Sequence, residues 1–287
     1  MRIALAANRG SGGGLDPDPL VDAMRSHGAV AELFACDEDG LVRAAAWKPE
    51  RIAVAGGDGT IGSLAAVAGR LDVPLAVIPA GTANDFARVH GLPDAPIEAA
   101  ALAAIGTDTR PLELGRLADG HPFVNVASAG LASVAAHVAQ PLKPRLGPLA
   151  YAVGAVRAAA TANPLHATVR VDGRLVFEGD FWQVIVAVSG AFGGGSGIAE
   201  ADPDDGALDV VVLPAGSRAG LTRRAWGLRT QTIAQQSGVE HERGRVIEVT
   251  LPDRAELNVD GEVRRSGLGR ATVQPRAFRL VVPPARP

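Results

Sequence analysis

Three glycines, a carboxylate and a hydroxyl follow one another in the first third of the chain: Gly56, Gly57, Asp58, Gly59 and Thr60. The apolar residues 51–55 before them predict a strand, and a helix is predicted to begin near Ile61. Because glycine allows sharp turns and close approach to a ligand, the backbone amides here can cradle an anion. A carboxylate inside such a cradle indicates a cation between it and the phosphates, so the loop predicts binding of a Mg²⁺-nucleotide. The alternative is an ordinary strand-to-helix turn with a solvated Asp58.

Two more polar, glycine-containing loops follow predicted strands in the same half of the chain. Residues 8–14 come after the strand 3–7, and their candidate ligand groups are Asn8, Ser11 and Gly12. Residues 79–84 come after the strand 73–78, and theirs are Gly81, Thr82 and Asn84. Thr82 is predicted to cap the next helix, with Asp85 three residues further on. Three such loops at equivalent points favour a ligand site over turns with a purely structural role.

Strand, loop and helix alternate four times in this first half. The strands, predicted at residues 3–7, 31–35, 51–55 and 73–78, are short and apolar without strict alternation. This pattern is typical of a parallel sheet covered on both faces, in which ligands bind beyond the carboxyl ends of the strands. We therefore predict a Rossmann-like α/β nucleotide domain over residues 1–112, with its three loops at one edge.

The spacing of apolar residues along the sequence changes after residue 110. Residues 168–177 alternate around Asp172-Gly173, which predicts a hairpin, and further short strands with Gly and Pro between them follow to residue 282. One basic helix is predicted at residues 218–236. Many short strands favour an antiparallel β-sandwich over residues 113–287, and we expect the active site in the cleft between the two domains.

Two acidic segments lie in this second half. Residues 202–209 contain four aspartates, and clustered carboxylates on a loop suit a hard cation, with Asp205 as a candidate ligand. Residues 258–262 form a tight turn that carries Asp260 and Glu262. For both segments the alternative is a solvated turn, since Asp-Gly is common in hairpins.

Composition restricts the class of protein. The 287 residues are 47% apolar and 21% charged, and the formal net charge of −3 gives no indication of nucleic-acid binding. Cys36 is the only cysteine, which excludes a disulfide framework and fits a reducing, cytoplasmic setting. Residues 1–9 favour a first strand over a signal peptide, and no strongly apolar run of about 18 residues predicts a membrane span.

Taken together, these motifs resemble the diacylglycerol kinase catalytic-domain family of lipid kinases, and the resemblance covers nearly the whole chain. The stretch from Gly81 to Arg88 is highly specific, whereas the loop at residues 56–60 also resembles loops of NAD kinases and phosphofructokinases. The motifs occur in the family's order: Asn8 with Ser11-Gly12, then residues 56–60, 79–88, 112–115, 123–125, 205–210 and 260–262.

The resemblance implies an ATP-dependent lipid kinase of phospholipid metabolism. It implies that ATP is held by Asn8, Ser11, Gly12, Gly56, Gly57, Gly59, Thr60, Gly81, Thr82 and Asn84. It implies that Asp58 works with Mg²⁺ and that Glu262 is a general base for the lipid hydroxyl; in the rival assignment Asp58 is the base. It also implies a structural Mg²⁺ at the loop of Asp205. The lipid substrate would be met by peripheral association with a membrane surface, through Lys143, Arg145 and the arginines of residues 218–229, for which ordinary solvated charges are the alternative.

The chain departs from the family at a few positions. Gly62-Ser63 stands where the family usually has Asn-Glu, and Arg9 stands where Pro usually follows Asn8. The first departure leaves open a catalytically silent nucleotide- or lipid-binding protein. An NAD kinase is a further alternative, although that family carries a different stretch after the fourth strand. Diacylglycerol, sphingoid bases, ceramide, phosphatidylglycerol and polyprenols all remain possible acceptors, and the sequence predicts no oligomeric state.

Overall fold

The computed structural model describes residues 1–7, 15–142, 149–252, 255–265 and 268–284. The chain forms two compact units, Met1–Leu114 with Pro275–Pro287, and Gly115–Gln274. The first unit therefore includes a C-terminal segment that the sequence analysis assigned to the second half of the chain. A domain boundary near residue 112 stays a prediction.

The first unit alternates strands and helices. Its elements are β1 (Arg2–Ala7), α1 (Asp18–Ser26), β2 (Val30–Phe34), α2 (Glu38–Ala46), β3 (Arg51–Gly56), α3 (Asp58–Leu71), β4 (Leu75–Pro79), α4 (Asp85–Val89), α5 (Pro96–Ile105) and most of β5 (Thr109–Arg116). The strand order is β2-β1-β3-β4, and each neighbouring pair is parallel. The predicted parallel sheet is confirmed.

The parallel sheet is covered on both faces, as its apolar strands predict. Every residue of β3 and β4 is buried. One core packs α1 and α5 against the sheet through Leu20, Met24 and the alanines of α5, and the apolar side chains of α3 are buried as well. The helix α3 begins at Asp58, three residues earlier than predicted, because Gly57 already has an extended N-cap conformation with a ψ of 179°.

The second unit is built mainly of antiparallel strands. Its elements are β6 (Pro122–Phe123), β7 (Val126–Gly130), α6 (Leu131–Ala139), α7 (Leu149–Thr161), β8 (Leu165–Val171), β9 (Arg174–Ala187), β10 (Ala191–Phe192), β11 (Ser196–Gly197), β12 (Leu208–Pro214), α8 (Gly220–Arg229), β13 (Glu240–Gly244), β14 (Val246–Thr250), β15 (Leu257–Val259), β16 (Glu262–Arg264) and the first part of β17 (Gly269–Val281); short 3-10 turns lie at Gln140–Leu142 and Ile233–Gln235.

The strand β9 organises this unit. Its first half pairs with β8, and its second half lies between β7 and β12, all antiparallel. Apolar side chains of these strands form a core that includes Phe123, Phe181 and Val186. The predicted antiparallel architecture is confirmed, and β9 continues from the Asp172-Gly173 hairpin to Ala187 as one strand.

Two Asp-Gly turns shape the second unit. Asp172 and Gly173 join β8 to β9 with φ angles of 48° and 82°, and Asp260 and Gly261 join β15 to β16 with φ angles of 48° and 91°. Two successive positive φ angles are those of a type I′ turn, whose twist matches that of the flanking strands. The hairpin predicted at Asp172-Gly173 is therefore confirmed.

The basic helix predicted at residues 218–236 is shorter in the structure. The helix α8 ends at Arg229, and Gln231 has a φ of 58°, which starts the turn that leads into Ile233–Gln235. None of the helices formed by the described residues is long and apolar enough to span a membrane.

The last strand returns to the first unit. Leu280 of β17 pairs in parallel with Leu75 of β4, and Arg279 bonds to the carbonyl of Asp72 at 2.7 Å. Gly69 of α3 lies directly against the backbone of Ala277, so that any side chain there would collide with the carbonyl oxygen of Ala277. The first unit is thus completed by the C-terminal end of the chain.

Candidate active site

The loops that follow β3 and β4 touch through two glycines. The strands are adjacent and parallel, so their carboxyl ends lie at one edge, and the Ala80 N–H donates to the Gly56 carbonyl at 3.0 Å. A Cβ atom on Gly81 would lie 2.6 Å from the Cα atom of Gly57. No side chain fits there without moving the backbone, so glycine is required for the two loops to meet.

Asp58 binds the second loop with its carboxylate. Its Oδ2 accepts a hydrogen bond from the Asp85 N–H at 3.1 Å, and its Oδ1 accepts one from the Phe86 N–H at 2.8 Å. These amides belong to the first turn of α4, which has no acceptor within its own helix for them. The sequence analysis treated Asp58 as a group that serves the ligand alone; in the structure it also caps α4 and ties the two loops together.

The cap predicted at Thr82 is not formed. The helix α4 begins at Asp85, and Thr82 is exposed. Asn84 stands at the N-cap in the left-handed region, with a φ of 50°, and its side-chain Oδ1 accepts from the Gly81 N–H at 2.9 Å. Asp58 caps α4 instead, because its carboxylate reaches the amides of the helix from the neighbouring loop, whereas Thr82 is exposed.

An ion pair between a buried carboxylate and a half-exposed arginine lies on the helix that Asp58 caps. Arg88 Nη1 contacts Asp85 Oδ1 at 2.6 Å, with the Asp85 side chain 4% exposed, and Arg88 Nη2 also donates to the Ala83 carbonyl. A pocket of about 220 Å³ lies beside these groups, and it is lined by Asn84, Ala87, Arg88, Leu92 and Asp94. Sequence reasoning gave Asp85 and Arg88 no role in the site; their spacing of three residues on a helix was the signal that could have found the pair.

His90 is held neutral just beyond α4. Its ring packs against Phe86, with ring centroids 4.3 Å apart. Burial, and then the positive charge of Arg110, lower the pKa of His90 to about 4. A neutral imidazole packed on the buried Phe86 ring supports the helix.

The other predicted nucleotide ligands fall into two groups. Gly59 and Thr60 lie in the first turn of α3, and Gly56 faces the Thr60 hydroxyl so closely that a Cβ atom there would lie 3.2 Å from its Oγ1. These residues therefore stand at the same edge as Gly57 and Gly81. Asn8, Ser11 and Gly12 lie outside the described residues.

These loops fit a nucleotide with a divalent cation. The approach of Gly57 to Gly81 leaves backbone without side chains at the sheet edge, as close contact with phosphates requires. The amides of Asp85 and Phe86 hold the half-buried carboxylate of Asp58 at the same edge, and a carboxylate oxygen is the type of ligand that Mg²⁺ prefers.

In the second unit, the two acids of the predicted turn have different surroundings. Asp260 is 8% exposed, and its carboxylate accepts from the backbone N–H groups of Val124, Asn125 and Val126 at 2.8 to 2.9 Å. Those bonds lie at the break between β6 and β7. Glu262, at the start of β16, is exposed. Of these two acids, only Glu262 is exposed to solvent.

Glu262 has a polar neighbourhood of its own. Arg264 bonds to His121 Nδ1 at 2.8 Å and to Asp119 Oδ2 at 3.1 Å. Burial, and then the charge of Arg264, lower the pKa of His121, and the acids Asp119 and Glu262 oppose that shift. Glu262 therefore lies within electrostatic reach of a histidine and an arginine that could hold an anionic group near it.

The carboxylate of Asp205 already has a cation from the chain itself. Its Oδ2 pairs with Arg243 Nη2, while its Oδ1 accepts from the Ala207 N–H at 3.0 Å. Arg243 Nε lies 3.3 Å from Oδ1 of Asp209, a residue that is 1% exposed. His241 Nε2 contacts the same Asp209 oxygen at 2.6 Å, and this hydrogen bond raises the pKa of His241. A guanidinium thus stands between the two carboxylates, and Oδ2 of Asp209 is buried without a hydrogen-bond partner among the described residues; a metal role for Asp205 stays a prediction.

Comparison with known proteins assigns the chain to a family. Residues 3–117 match the family model described as the diacylglycerol kinase catalytic domain, and residues 125–282 match the YegS C-terminal NAD kinase beta sandwich-like domain. The chain belongs to the family of diacylglycerol kinases and YegS-like lipid kinases. It is 34% identical to the diacylglycerol kinase of Bacillus subtilis, over 74% of this chain and 70% of that protein.

Another relative aligns along the whole chain. The Pseudomonas aeruginosa protein named "Probable lipid kinase YegS-like" is 33% identical over 100% of this chain and 96% of its own length. The kinase class is thus shared by relatives that match each part of the chain.

Solved structures share the fold. A diacylglycerol kinase from Bacillus anthracis superposes with a TM-score of 0.77 at 22% identity, over 99% of this chain and 97% of that one. An NAD kinase from Archaeoglobus fulgidus, solved in complex with ATP, superposes with a TM-score of 0.56 at 18% identity, over 98% of this chain and 93% of that one. The predicted fold class, a parallel α/β sheet followed by an antiparallel β-sandwich, is confirmed.

Proposed function

We propose that this chain is an ATP-dependent lipid kinase that transfers the γ-phosphate of ATP to a hydroxyl group of a lipid such as diacylglycerol or a sphingoid base. The observation that carries the proposal is the joint between the two glycine loops, where Asp58 binds the amides of Asp85 and Phe86 while Gly57 and Gly81 leave open backbone beside it. Phosphoryl transfer depends on positioning and charge neutralisation, and both require groups that are fixed before the substrate arrives.

In this proposal the groups at the sheet edge have separate tasks. Backbone amides of residues 56–60 and 81–84, with Asn8, Ser11 and Gly12, bind the phosphates. Asp58 would hold Mg²⁺, which supplies the positive charge that the transferring phosphoryl group needs. The Asp58 carboxylate is held by two backbone amides, and such a fixed position suits a ligand of a cation.

The lipid hydroxyl needs a base, and we assign that task to Glu262. It is exposed, whereas the neighbouring Asp260 is committed to three backbone amides. Glu262 accepts the hydroxyl proton as the oxygen attacks the γ-phosphorus, and ADP leaves with the electrons of the broken bond. The rival assignment, with Asp58 as the base, requires a carboxylate that is already bound to two amides to take up a proton.

The substrate is proposed to be met at a membrane surface, with the chain acting peripherally on the cytoplasmic side. A greasy acceptor with one hydroxyl resides in a bilayer, so a kinase that acts on it must approach the lipid headgroups. The exposed side chains of Arg223 and Arg229 on α8 are suited to anionic headgroups.

The test is incubation of the purified chain with labelled ATP, Mg²⁺ and a total lipid extract, with parallel reactions on NAD⁺ and without acceptor. We expect a labelled phospholipid that extracts into organic solvent and whose hydroxyl acceptor is identified by mass spectrometry. Asp58→Asn should abolish the product. Label on NAD⁺ alone would support the NAD kinase alternative, and ATP binding without any labelled product would support the catalytically silent one.

A further inference from the structure

The outer face of α8 carries an exposed tryptophan between two arginines. Trp226 is 69% exposed, and it is the only aromatic residue among the exposed large apolar side chains of the described residues. Arg223 and Arg229 are exposed and lie three residues before and after it, so all three side chains share one face of the helix. We call Arg223, Trp226 and Arg229 the α8 face.

The opposite side of the helix fixes it to the second unit. Leu221 and Gly227 are buried, and Leu221 packs in a core with Trp182 and Ile233. A Cβ atom on Gly227 would collide with the side-chain amide of Gln236, so the helix lies as close as its backbone allows. This packing holds one side of the helix against the second unit and leaves Trp226 on the exposed side.

Two of the basic side chains near α8 are already engaged by the protein. Arg218 donates to the carbonyls of Ala159 and Ala162 at 2.6 and 2.7 Å, and its guanidinium lies 5.2 Å from the centre of the Trp182 ring. Arg224 donates to the carbonyls of Ser237 and Gly238 at 3.1 and 3.0 Å. These two arginines stabilise the fold and are poorly placed for a ligand.

The two arginines of the α8 face are available to an external partner. Arg229 uses one nitrogen for the Gly194 carbonyl at 2.8 Å and is otherwise exposed. Arg223 forms no side-chain hydrogen bond or ion pair with the described residues, and residues 218–236 contain no Asp or Glu. An exposed indole flanked by unneutralised arginines matches the interface of an anionic bilayer, where the ring lies among the headgroups and guanidinium groups meet phosphates.

We propose that the α8 face is the membrane-docking surface, with Trp226 as its anchor and Arg223 and Arg229 as its contacts to anionic headgroups. The proposal rests on the proposed function, because a lipid kinase must reach its substrate at a bilayer. The partner is a lipid surface, because a protein that bound this basic face would contact the arginines without burying the indole in hydrocarbon. Lys143 and Arg145, the other predicted headgroup contacts, lie outside the described residues.

Vesicle sedimentation without ATP tests the docking surface apart from catalysis. The wild-type chain should bind vesicles that contain phosphatidylglycerol, and bind phosphatidylcholine vesicles less. Trp226→Ala should weaken binding on the order of tenfold. The double variant R223A/R229A should remove most of the dependence on lipid charge and on salt. Matched controls are Val42→Ala, an exposed apolar side chain on α2, and Arg70→Ala, an exposed arginine on α3; both should bind like the wild type.

The fluorescence of Trp226 reports insertion directly. Its emission should shift to the blue on anionic vesicles and be quenched by brominated acyl chains, and Trp226→Ala should lose that quenching. Wild-type binding by Trp226→Ala, absence of quenching, or failure of the wild type to bind any vesicle would each overturn the proposal. If the chain shows no kinase activity but retains Trp226-dependent binding, the docking surface stands and the proposed function falls.

A separate observation concerns the loop at Asp205, where the resemblance implied a structural Mg²⁺. Arg243 contacts the carboxylates of both Asp205 and Asp209, and it reaches them from β13, which pairs with β12. Asp209 is almost fully buried, so its charge must be neutralised within the protein. We infer that the guanidinium of Arg243 takes the place of the divalent ion in this chain.

Thermal melting with and without metal tests this inference. The melting temperature of the wild type without nucleotide should be the same in EDTA and in millimolar Mg²⁺ or Ca²⁺. Arg243→Ala should melt lower than the wild type and be raised by added divalent ion, whereas Arg245→Ala, an exposed arginine two residues along, should melt like the wild type. A fall in the wild-type melting temperature on chelation would overturn the inference, and so would an Arg243→Ala protein that melts like the wild type without metal.

Discussion

Removal of the Asp58 carboxylate should destabilise the protein as well as stop catalysis. Asp58→Ala leaves the N–H groups of Asp85 and Phe86 without their acceptor, and these bonds measure 3.1 and 2.8 Å. A hydrogen bond to a charged group contributes about 1.5–3 kcal/mol, and the half-buried site places each bond near the lower end of that range. We therefore expect a loss of about 2–4 kcal/mol in the free energy of unfolding.

That loss is large enough to measure by calorimetry or urea unfolding. It corresponds to a decrease of roughly 5–15 °C in the melting temperature of the first unit. Asp58→Asn keeps one carbonyl oxygen as an acceptor and should lose about half as much, although it removes the charge that Mg²⁺ needs. All measurements are made without nucleotide, so that lost ligand binding cannot imitate lost stability.

The control lies in the second loop, just before the amides that Asp58 caps. Thr82→Ala removes an exposed hydroxyl that caps nothing in the structure, and its melting temperature should match that of the wild type. If Asp58→Ala and Thr82→Ala both have the melting temperature of the wild type, Asp58 does not stabilise α4 as a cap, and its role is limited to the ligand. Equal destabilisation by both variants would show that the loop is sensitive to any change, which also contradicts the reasoning.

The remaining predictions concern the second unit and one histidine. Asp260→Ala should lower the free energy of unfolding by about 3 kcal/mol or more, because three buried amides lose their acceptor. Glu262→Gln should melt like the wild type and lower the catalytic rate by roughly 10². Normal turnover of Glu262→Gln would contradict its role as the base. The pKa of His90 is lowered to about 4, so the unfolded chain binds its proton first as the pH falls. The free energy of unfolding should therefore be highest above about pH 6.5 and fall as the pH decreases toward 4. His90→Leu should make the urea midpoint less dependent on pH in that window. An unchanged dependence of the midpoint on pH would count against a buried neutral imidazole.

The sequence predicted that the loops after β3 and β4 share one edge of a sheet, and the structure brings them together there. Gly57 and Gly81 mark backbone that turns or approaches another group closely, and the apolar strands before each loop indicate a parallel sheet. Asp172-Gly173 predicted its hairpin because a type I′ turn requires two positive φ angles. Local chemistry was enough for these features.

The partners of the carboxylates could not be predicted in the same way. Asp58 bonds to residues 27 and 28 positions away, and Asp260 to residues 134 to 136 positions away. Those contacts depend on which strands become neighbours, and periodicity does not reveal that. The ion pair of Arg243 with Asp205 depends likewise on the pairing of β12 with β13.

The return of β17 to β4 has a consequence for how the chain is made. The edge of the parallel sheet next to Leu75 is covered only when residues near Leu280 have arrived, and the whole second unit separates these two strands along the chain. The first unit therefore cannot complete its sheet before the second unit has been synthesised, and a fragment that stops at residue 114 would expose the edge of β4. A circular permutant that begins with residues 275–284 and continues into β1 would supply that strand first and should let this half fold as the nascent chain emerges.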